Sequence, residues 1–472
     1  MNEKLAPDWL ETPSDINALA PNLWPQHLQR DATGEVSIAG VPVDALASEF
    51  GTPLFVVDED DFRARAVSVK RALEAAAASI GTEAKVYYAS KVFLNTEIAS
   101  WVDELGLNID VASGGELAVA LAAGFPAERI GLHGNNKSLF EIGRAISAGV
   151  GAIVIDSEIE IERIASAAGA QEQVQGVRLR VNTGVHAHTH EFLATAREDQ
   201  KFGIALADVP ALVAKIRSHS HLRFLGLHSH IGSQIFGEAA FAEAADRLIA
   251  VHAELLAGGE VPELNLGGGF GINYTPADRA PEIADFANLV ARSVAAACQK
   301  HGIQVPKLAF EPGRVIAGPT TVTLYGVGTI KDVQLGDATG IRKYVSVDGG
   351  MSDNLRTALY QADYTAILAS RSSSAAPAIS RVVGKHCESG DIVVRDIYLP
   401  SDVAPTDILA VAATGAYCYS LANNYNYLTR PPVVAVRAGK ARLIVRGETE
   451  ADLLSRDVKY QQELQKTGKA KP

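Results

Sequence analysis

The sequence predicts an α/β protein: a (β/α)8 TIM barrel with a second, all-β domain of barrel or sandwich type. Three observations predict it. From about Leu54 to Arg314, short β-rich runs ending in small or polar residues alternate with Ala/Leu/Glu-rich stretches of helical spacing. After Pro319 the texture changes to strand runs broken by Gly, Pro and Asp, with few helical segments. The length, 472 residues, exceeds one typical domain and accommodates a large barrel plus a partner.

The elements follow in order. "GEVSIAGVPVDALASEFGTP" carries a strand pattern and is expected to join the β domain or cap the barrel, so residues 1–52 are assigned there. Eight runs then read as barrel strands: "KVYYASK", "NIDVAS", "RIGLHGN", "AIVIDS", "GVRLRVN", "FLGLHSHIG", "ELNLGGGFG" and "LAFEPGR". Between them, stretches such as "GGELAVALAAG" and "SLFEIGRAISAG" have helical apolar spacing and glycine stops. Strands alternating with helices imply βαβ units and a parallel sheet. Eight units fit a barrel over 53–318; a doubly wound sheet is the alternative that periodicity leaves open. "TTVTLYGVGTIKDVQLG", "RKYVSVDGG", "RVVGKHCESGDIVVRDIYLP" and "PPVVAVRAGKARLIVRGE" make up the β domain, 319–455. The tail, 456–472, is polar and reads as frayed.

A formal charge of −12 argues against a nucleic-acid surface, though a local basic pocket for a small anion is compatible with it. Three cysteines are too few for a disulfide framework and suit a reducing compartment. "MNEKLAPDWLETPSD" lacks the features of a secretory peptide, and "LAVALAAGF" is too short to span a bilayer. A cytoplasmic protein without membrane or nucleic-acid partners is the expectation.

In a barrel the active site lies where the strands end at their carboxyl side. Those ends carry Lys91, Asp110, His133 and Asn135, His228 and His230, Gly267 to Gly269, Glu311 and Arg314. Lys91 alone could be a strand end reaching solvent. At a cleft it becomes a desolvated nucleophile for a carbonyl cofactor. The triple glycine could be a tight turn. After a late barrel strand it lets backbone N–H groups approach a phosphate, with Gly313 and Arg314 of "EPGR" on the next strand. Glu311 could cap a helix or pair with Arg314; facing a heterocyclic nitrogen, it would hold that nitrogen protonated. His230 could pack on a planar ring and Ser233 could donate to a phosphate, whereas His228 reads as a satisfied interior histidine.

"HAHTH", His186 to His190, has no acidic or cysteine partner at ligand spacing and reads as a loop covering the barrel mouth, not as a metal site. Cys298 and Cys418 read as small buried hydrophobes. Cys387, in the polar turn "GKHCESGD", could donate a proton. Arg356 could clamp a carboxylate bidentately or lie on the surface.

Eight motifs in order, "YYASK", "LHGNNKS", "HSHIGSQI", "LGGGFG", "EPGR", "VDGGMSDN", "GKHCESGD" and "GAYCYS", resemble the fold-type III pyridoxal-phosphate decarboxylases, in particular the diaminopimelate decarboxylase family. The resemblance runs from roughly Pro53 to Arg430. It implies pyridoxal 5'-phosphate, an obligate homodimer with shared sites, and decarboxylation of meso-2,6-diaminopimelate to L-lysine. By matching position, Lys91 resembles the lysine that carries the cofactor, and His230 the ring-stacking histidine. Asp110 joins the cofactor set. Ser233, Gly268 and Gly269 resemble phosphate contacts and Glu311 the pyridine partner. Gly313 and Arg314 belong to one cofactor-and-substrate segment. Arg356 and Tyr360 match holders of the substrate's distal carboxylate. Cys387 and Glu388 match the pair supplied by the other subunit, as proton donor and substrate-ammonium contact. Tyr417 matches a cofactor and substrate contact.

Leu355 stands where many relatives have proline, and "TGVHAHTHEFLATARED" is longer than in many of them. A decarboxylase of ornithine, arginine or carboxynorspermidine remains an alternative, though Arg356 argues against a purely cationic distal end. A catalytically inactive regulatory relative is the alternative from another class; Lys91, Glu311 and Cys387 together speak against it.

Overall fold

All eight runs read as barrel strands form: Ala84–Ala89, Asn108–Val111, Ile130–Leu132, Ala152–Ile155, Gln175–Asn182, Leu222–His228, Glu263–Asn265 and Lys307–Phe310. The computed structural model describes residues 5–185, 201–230, 232–234, 239–335 and 340–467. Neighbouring strands pair parallel in chain order. The eighth returns to the first through Leu308↔Ala84 and Phe310↔Val86, which closes the barrel and excludes the doubly wound sheet. Ala152–Ile155 is buried at every position, as a parallel strand covered on both faces requires.

The polar residues that end the strands also start the helices. Asn95 accepts the Ile98 N–H and Ser113 that of Glu116, and Ser138 forms a capping box with Glu141. Each cap contributes about 1 kcal/mol. Helices Leu139–Ala148 and Ile283–His301 stop at Gly149 (φ 79°) and Gly302 (φ 68°), left-handed positions that favour glycine.

Toward the strand starts the barrel interior holds a polar layer. Arg178 donates to Glu263 Oε2 from Nε (3.1 Å) and Nη2 (2.7 Å), and to the Tyr87 hydroxyl (2.9 Å). Lys85 pairs with the other oxygen of Glu263. Removing one member would strand a buried charge, at a cost of roughly 3–5 kcal/mol.

The barrel unit comprises Arg63–Ile272 and Arg279–Ile316; the second unit comprises Met1–Phe62, Asn273–Asp278 and Ala317–Pro472. The second unit is mostly sheet. Its long strand Thr321–Leu335 pairs with Gly340–Val347, Ile408–Val411 and Leu54–Asp58, and Val433–Arg437 continues the sheet beyond Leu54–Asp58. Leu28–Arg30, Val36–Ile38 and Val41–Pro42 form a small separate sheet. The tail differs from its expected frayed state: Val458–Thr467 is helical, with the Tyr460 N–H received by Asp457 and an i,i+3 pair between Lys466 and Glu463. No helix among the described residues is long and apolar enough to cross a membrane.

His252, inside helix Ala239–Leu256, gives a pH prediction. It is 1% exposed, and burial pushes its imidazole down to about 4. Between that value and the ordinary 6.5 the unfolded chain binds a proton that the folded chain refuses, so stability falls as pH drops. We expect His252→Gln to remove about 2 kcal/mol of the stability difference between pH 7.5 and pH 5. Urea melts of both proteins at the two pH values check it; an unchanged difference contradicts it.

Candidate active site

The barrel register brings the site residues predicted at strand ends to one rim. Ala89 pairs with Asp110, and His228 with Asn265. Lys91 lies in the single turn Ser90–Val92 that follows the first strand. That turn is fastened: the Ser90 N–H donates to Asp110 Oδ1 (3.2 Å) and the Ser90 hydroxyl to Glu116 Oε2 (2.9 Å). Glu116 also receives the Ala112 N–H at 2.6 Å. Lys91 was expected as a desolvated amine. The residue is solvent-exposed, yet its charge acts on Asp110, His133 and His230. Lys137, the other lysine near a strand end, is 3% exposed. Its ammonium donates to Gly134 O, Val154 O and Glu160 Oε2 at 2.6, 2.7 and 2.8 Å. Its three donors are therefore engaged in structure.

Glu311, just past the eighth strand, is the centre of the buried polar cluster. Asn265 Nδ2 donates to Oε1 at 2.8 Å, His228 Nε2 lies 3.0 Å from the same oxygen, and His133 Nε2 lies 3.4 Å away. Burial alone would raise this carboxyl; His228, His133 and His230 outweigh it and hold Glu311 well below the usual carboxylate range. Burial, then the charge of Glu311, pushes Asp110 well above that range, with Lys91 opposing. The rim thus drives two carboxyls in opposite directions, Glu311 down and Asp110 up. Burial likewise lowers all three imidazoles, so they are neutral donors at neutral pH. His228, expected as a satisfied interior histidine, uses Nε2 on Glu311 and leaves Nδ1 buried with no hydrogen-bond partner among the described residues.

His133, His228 and Glu311 place three ligand atoms within 4.8 Å of one another, a spacing a metal ion could use. The positive charges of Lys91, Arg178 and Arg180 all bear on these histidines, and they oppose a dication. The cluster is better suited to a carboxylate held by neutral donors.

The glycine bed is built to exclude side chains. A Cβ on Gly268 would lie 2.1 Å from the Glu311 carbonyl oxygen, and one on Gly313 would lie 2.5 Å from Val92 Cγ2. Gly269 has φ 103°, in the region that favours glycine. The Gly268 N–H donates to His230 Nδ1 (3.2 Å), and Arg314 Nη2 donates to the Ser233 hydroxyl (2.7 Å). A lysine, an ionised buried carboxylate, a flat imidazole and a bare backbone beside an arginine–serine pair fit a phosphorylated pyridine aldehyde. The bed and the buried Nδ1 of His228 are features a packed core would not need.

The remaining predicted residues lie in the sheet unit. Asp391 joins two of their loops: it accepts from Met351 N (2.6 Å), His386 N (2.8 Å) and His386 Nδ1 (3.0 Å). A Cβ on Gly350 or Gly384 would lie 2.4 or 2.3 Å from an Asp391 oxygen, which explains one glycine in each of "VDGGMSDN" and "GKHCESGD". Cys387 is exposed, with its N–H on Asn426 Oδ1 at 3.0 Å. Glu388, also exposed, accepts the Gly390 N–H at 3.3 Å. Tyr360 closes the turn of helix Arg356–Tyr360, whose cap Leu355 has φ −72°. A proline would impose that value, so this departure leaves Arg356 in place. Tyr417 is held at φ 66°, a strained setting for a side-chain-bearing residue. His186 to His190 lie outside the described residues.

Sequence reasoning missed Asn265, Glu116 and Arg180. Arg180 lies 3.7 Å from Asp156 and 4.3 Å over the Phe202 ring, and its charge bears on His133, His228 and His230. Two arginines inside the otherwise apolar "GVRLRVN" were the available signal.

Residues 66–318 match the family described as pyridoxal-dependent decarboxylase, pyridoxal binding domain. The chain is 54% identical over 454 residues to diaminopimelate decarboxylase of Mycobacterium tuberculosis, covering 94% of this chain and 100% of that protein. It is 42% identical over 431 residues to the enzyme of that name from Bacillus subtilis, covering 90% and 96%. Among solved structures, diaminopimelate decarboxylase of M. jannaschii in complex with L-lysine superposes with a TM-score of 0.85 at 31% identity, covering 92% of this chain and 98% of that one. The chain belongs to the pyridoxal-dependent decarboxylases and, within them, to the diaminopimelate decarboxylase family.

Proposed function

We propose that this chain decarboxylates meso-2,6-diaminopimelate to L-lysine and carbon dioxide with pyridoxal 5'-phosphate, the last step of lysine biosynthesis. The observation that carries the substrate assignment is Arg356. Its side chain is buried, 3% exposed, and pairs with no carboxylate among the described residues. A buried guanidinium without a counter-anion selects a substrate that brings one and rejects a purely cationic end.

When bound, the cofactor supplies an electron sink for the pair left at Cα as carbon dioxide departs. The residues do the rest. Lys91 would hold the cofactor through its amine. Glu311, held low by its histidine neighbours, would favour a proton on the pyridine nitrogen, and His230 would face the ring. Gly268, Gly269, Gly313, Ser233, Arg314 and Tyr417 would receive the phosphate and the substrate's near end, while Asp110 fastens the Lys91 turn through the Ser90 N–H. Arg356 and Tyr360 take the distal carboxylate and Glu388 the distal ammonium. Cys387 or Lys91 returns a proton to Cα. In this division the barrel unit supplies most of the cofactor contacts and the sheet unit reads the substrate.

We also place the reaction in a homodimer, with Cys387 and Glu388 supplied by the second copy. Mixing Lys91→Ala and Cys387→Ala proteins is expected to recover part of the activity, since one site in a mixed dimer is intact. No recovery after confirmed subunit exchange means each site is built from one chain. The substrate assignment is tested by carbon dioxide release from diaminopimelate stereoisomers, ornithine, arginine and lysine. Release from the meso isomer alone is expected; faster release from ornithine or arginine overturns the assignment.

A further inference from the structure

Arg356 is not merely buried; it is held by a closed ring of hydrogen bonds within the sheet unit. Its Nη1 donates to the Tyr364 hydroxyl at 2.6 Å. That hydroxyl lies 3.5 Å from Cys418 Sγ, which donates to Asn354 Oδ1, also at 3.5 Å. Asn354 Oδ1 accepts the backbone N–H of Arg356 at 3.3 Å, so the ring begins and ends on one residue. Donors and acceptors alternate consistently: guanidinium to phenol, phenol to thiol, thiol to amide oxygen.

Around the ring stand aromatic faces. The guanidinium carbon lies 4.8 Å from the Tyr274 ring centre, 5.7 Å from that of Tyr364 and 6.0 Å from that of Tyr417. Tyr274 and Tyr364 meet edge to face at 5.2 Å, and the Thr365 hydroxyl fixes the Tyr274 carbonyl at 2.9 Å. The cage stabilises the charge without neutralising it. The Arg356 Nε remains buried with no partner among the described residues. Burial pushes the Tyr364 phenol well above its ordinary value, so it stays a neutral acceptor at working pH.

We infer that Tyr364 is the positioning residue of substrate selection, fixing the Arg356 guanidinium so that it reads the carboxylate at the substrate's non-reacting end. This rests on the reading of Arg356 given above. Since the product is L-lysine, the carboxylate that leaves comes from the D centre. The L centre survives with its carboxylate, so substrate and product both carry the group Arg356 reads. The amine 1,5-diaminopentane carries neither carboxylate and is blind to it.

The test compares wild type, Tyr364→Phe and Arg356→Lys as holoenzymes, with melting curves to confirm folding. Steady-state rates are measured on meso-diaminopimelate, and dissociation constants for L-lysine and 1,5-diaminopentane from changes in cofactor absorbance. For Tyr364→Phe we expect KM for diaminopimelate and Kd for L-lysine to rise together by roughly 10-fold, with kcat within about 3-fold. Kd for the diamine should stay within about 2-fold. Diamine binding that weakens in step with L-lysine, or L-lysine binding that does not change, overturns the inference. Arg356→Lys separates the two levels: if it too leaves L-lysine binding intact, the parent reading of Arg356 fails. Should Tyr364→Phe not fold, Cys418→Ala opens the ring one bond further on. It should weaken L-lysine selectively, by roughly 3-fold; an equal effect on the diamine, or none on L-lysine, overturns the inference.

Discussion

Lys91→Ala is expected to abolish both decarboxylation and the visible absorbance of enzyme-bound cofactor while leaving the fold intact. Lys91 is exposed on a single turn whose fastening uses the Ser90 N–H and hydroxyl and the carboxylates of Asp110 and Glu116. The Ser90 contacts that fasten the turn remain after the substitution, so the melting temperature should move by no more than about 2 °C. The loss of kcat should be on the order of 10⁴-fold or more, because the group proposed to bind the cofactor is gone. Absorbance that survives the substitution means the cofactor is held elsewhere. Lys137 is a poor substitute, since Glu160 and two backbone carbonyls already engage its ammonium.

Glu311→Gln is expected to retain the cofactor yet lower kcat by roughly 100- to 1000-fold. Glutamine keeps an oxygen for Asn265 and His228 but carries no charge, so it cannot favour a proton on the pyridine nitrogen. It also presents an amide N–H₂ to a cluster already rich in donors. A second consequence follows from the pair of carboxyls. Asp110 is raised first by burial and next by the charge of Glu311. Removing that charge lets Asp110 ionise at lower pH, which should shift the pH dependence of the cofactor spectrum. A Glu311→Gln enzyme within about 3-fold of wild type, or one whose spectrum titrates unchanged, contradicts the role assigned to this residue.

The barrel was legible because its signals are local. Each strand is a short apolar run, and its polar end doubles as the next helix cap at Asn95, Ser113 and Ser138. Lys91 and the triple glycine could be read because they stand next to such ends. The partners of Glu311 could not be. Asn265 is 46 residues away and His228 is 83, and they meet it only because closure sets neighbouring strands in register. Asn265 looked like the last residue of an ordinary strand, and His228 like an interior histidine. Tyr364 was invisible for the same reason: its link to Cys418 depends on a sheet that pairs Ala366–Leu368 with Ile408–Val411. Cys418 was rightly read as buried but not as a hydrogen-bonded link. The exposure of Lys91 agrees with one of the two readings its strand end allowed.

The proposed function requires a covalent bond between one lysine amine and the aldehyde of pyridoxal phosphate. Borohydride reduction of the holoenzyme fixes that bond, and peptide mass mapping locates it. The expected result is a single phosphopyridoxyl group on the peptide that contains Lys91, with none on Lys137 or Lys85. A modification on any other lysine, or an enzyme that stays active and unmodified after reduction, would contradict the account at its root.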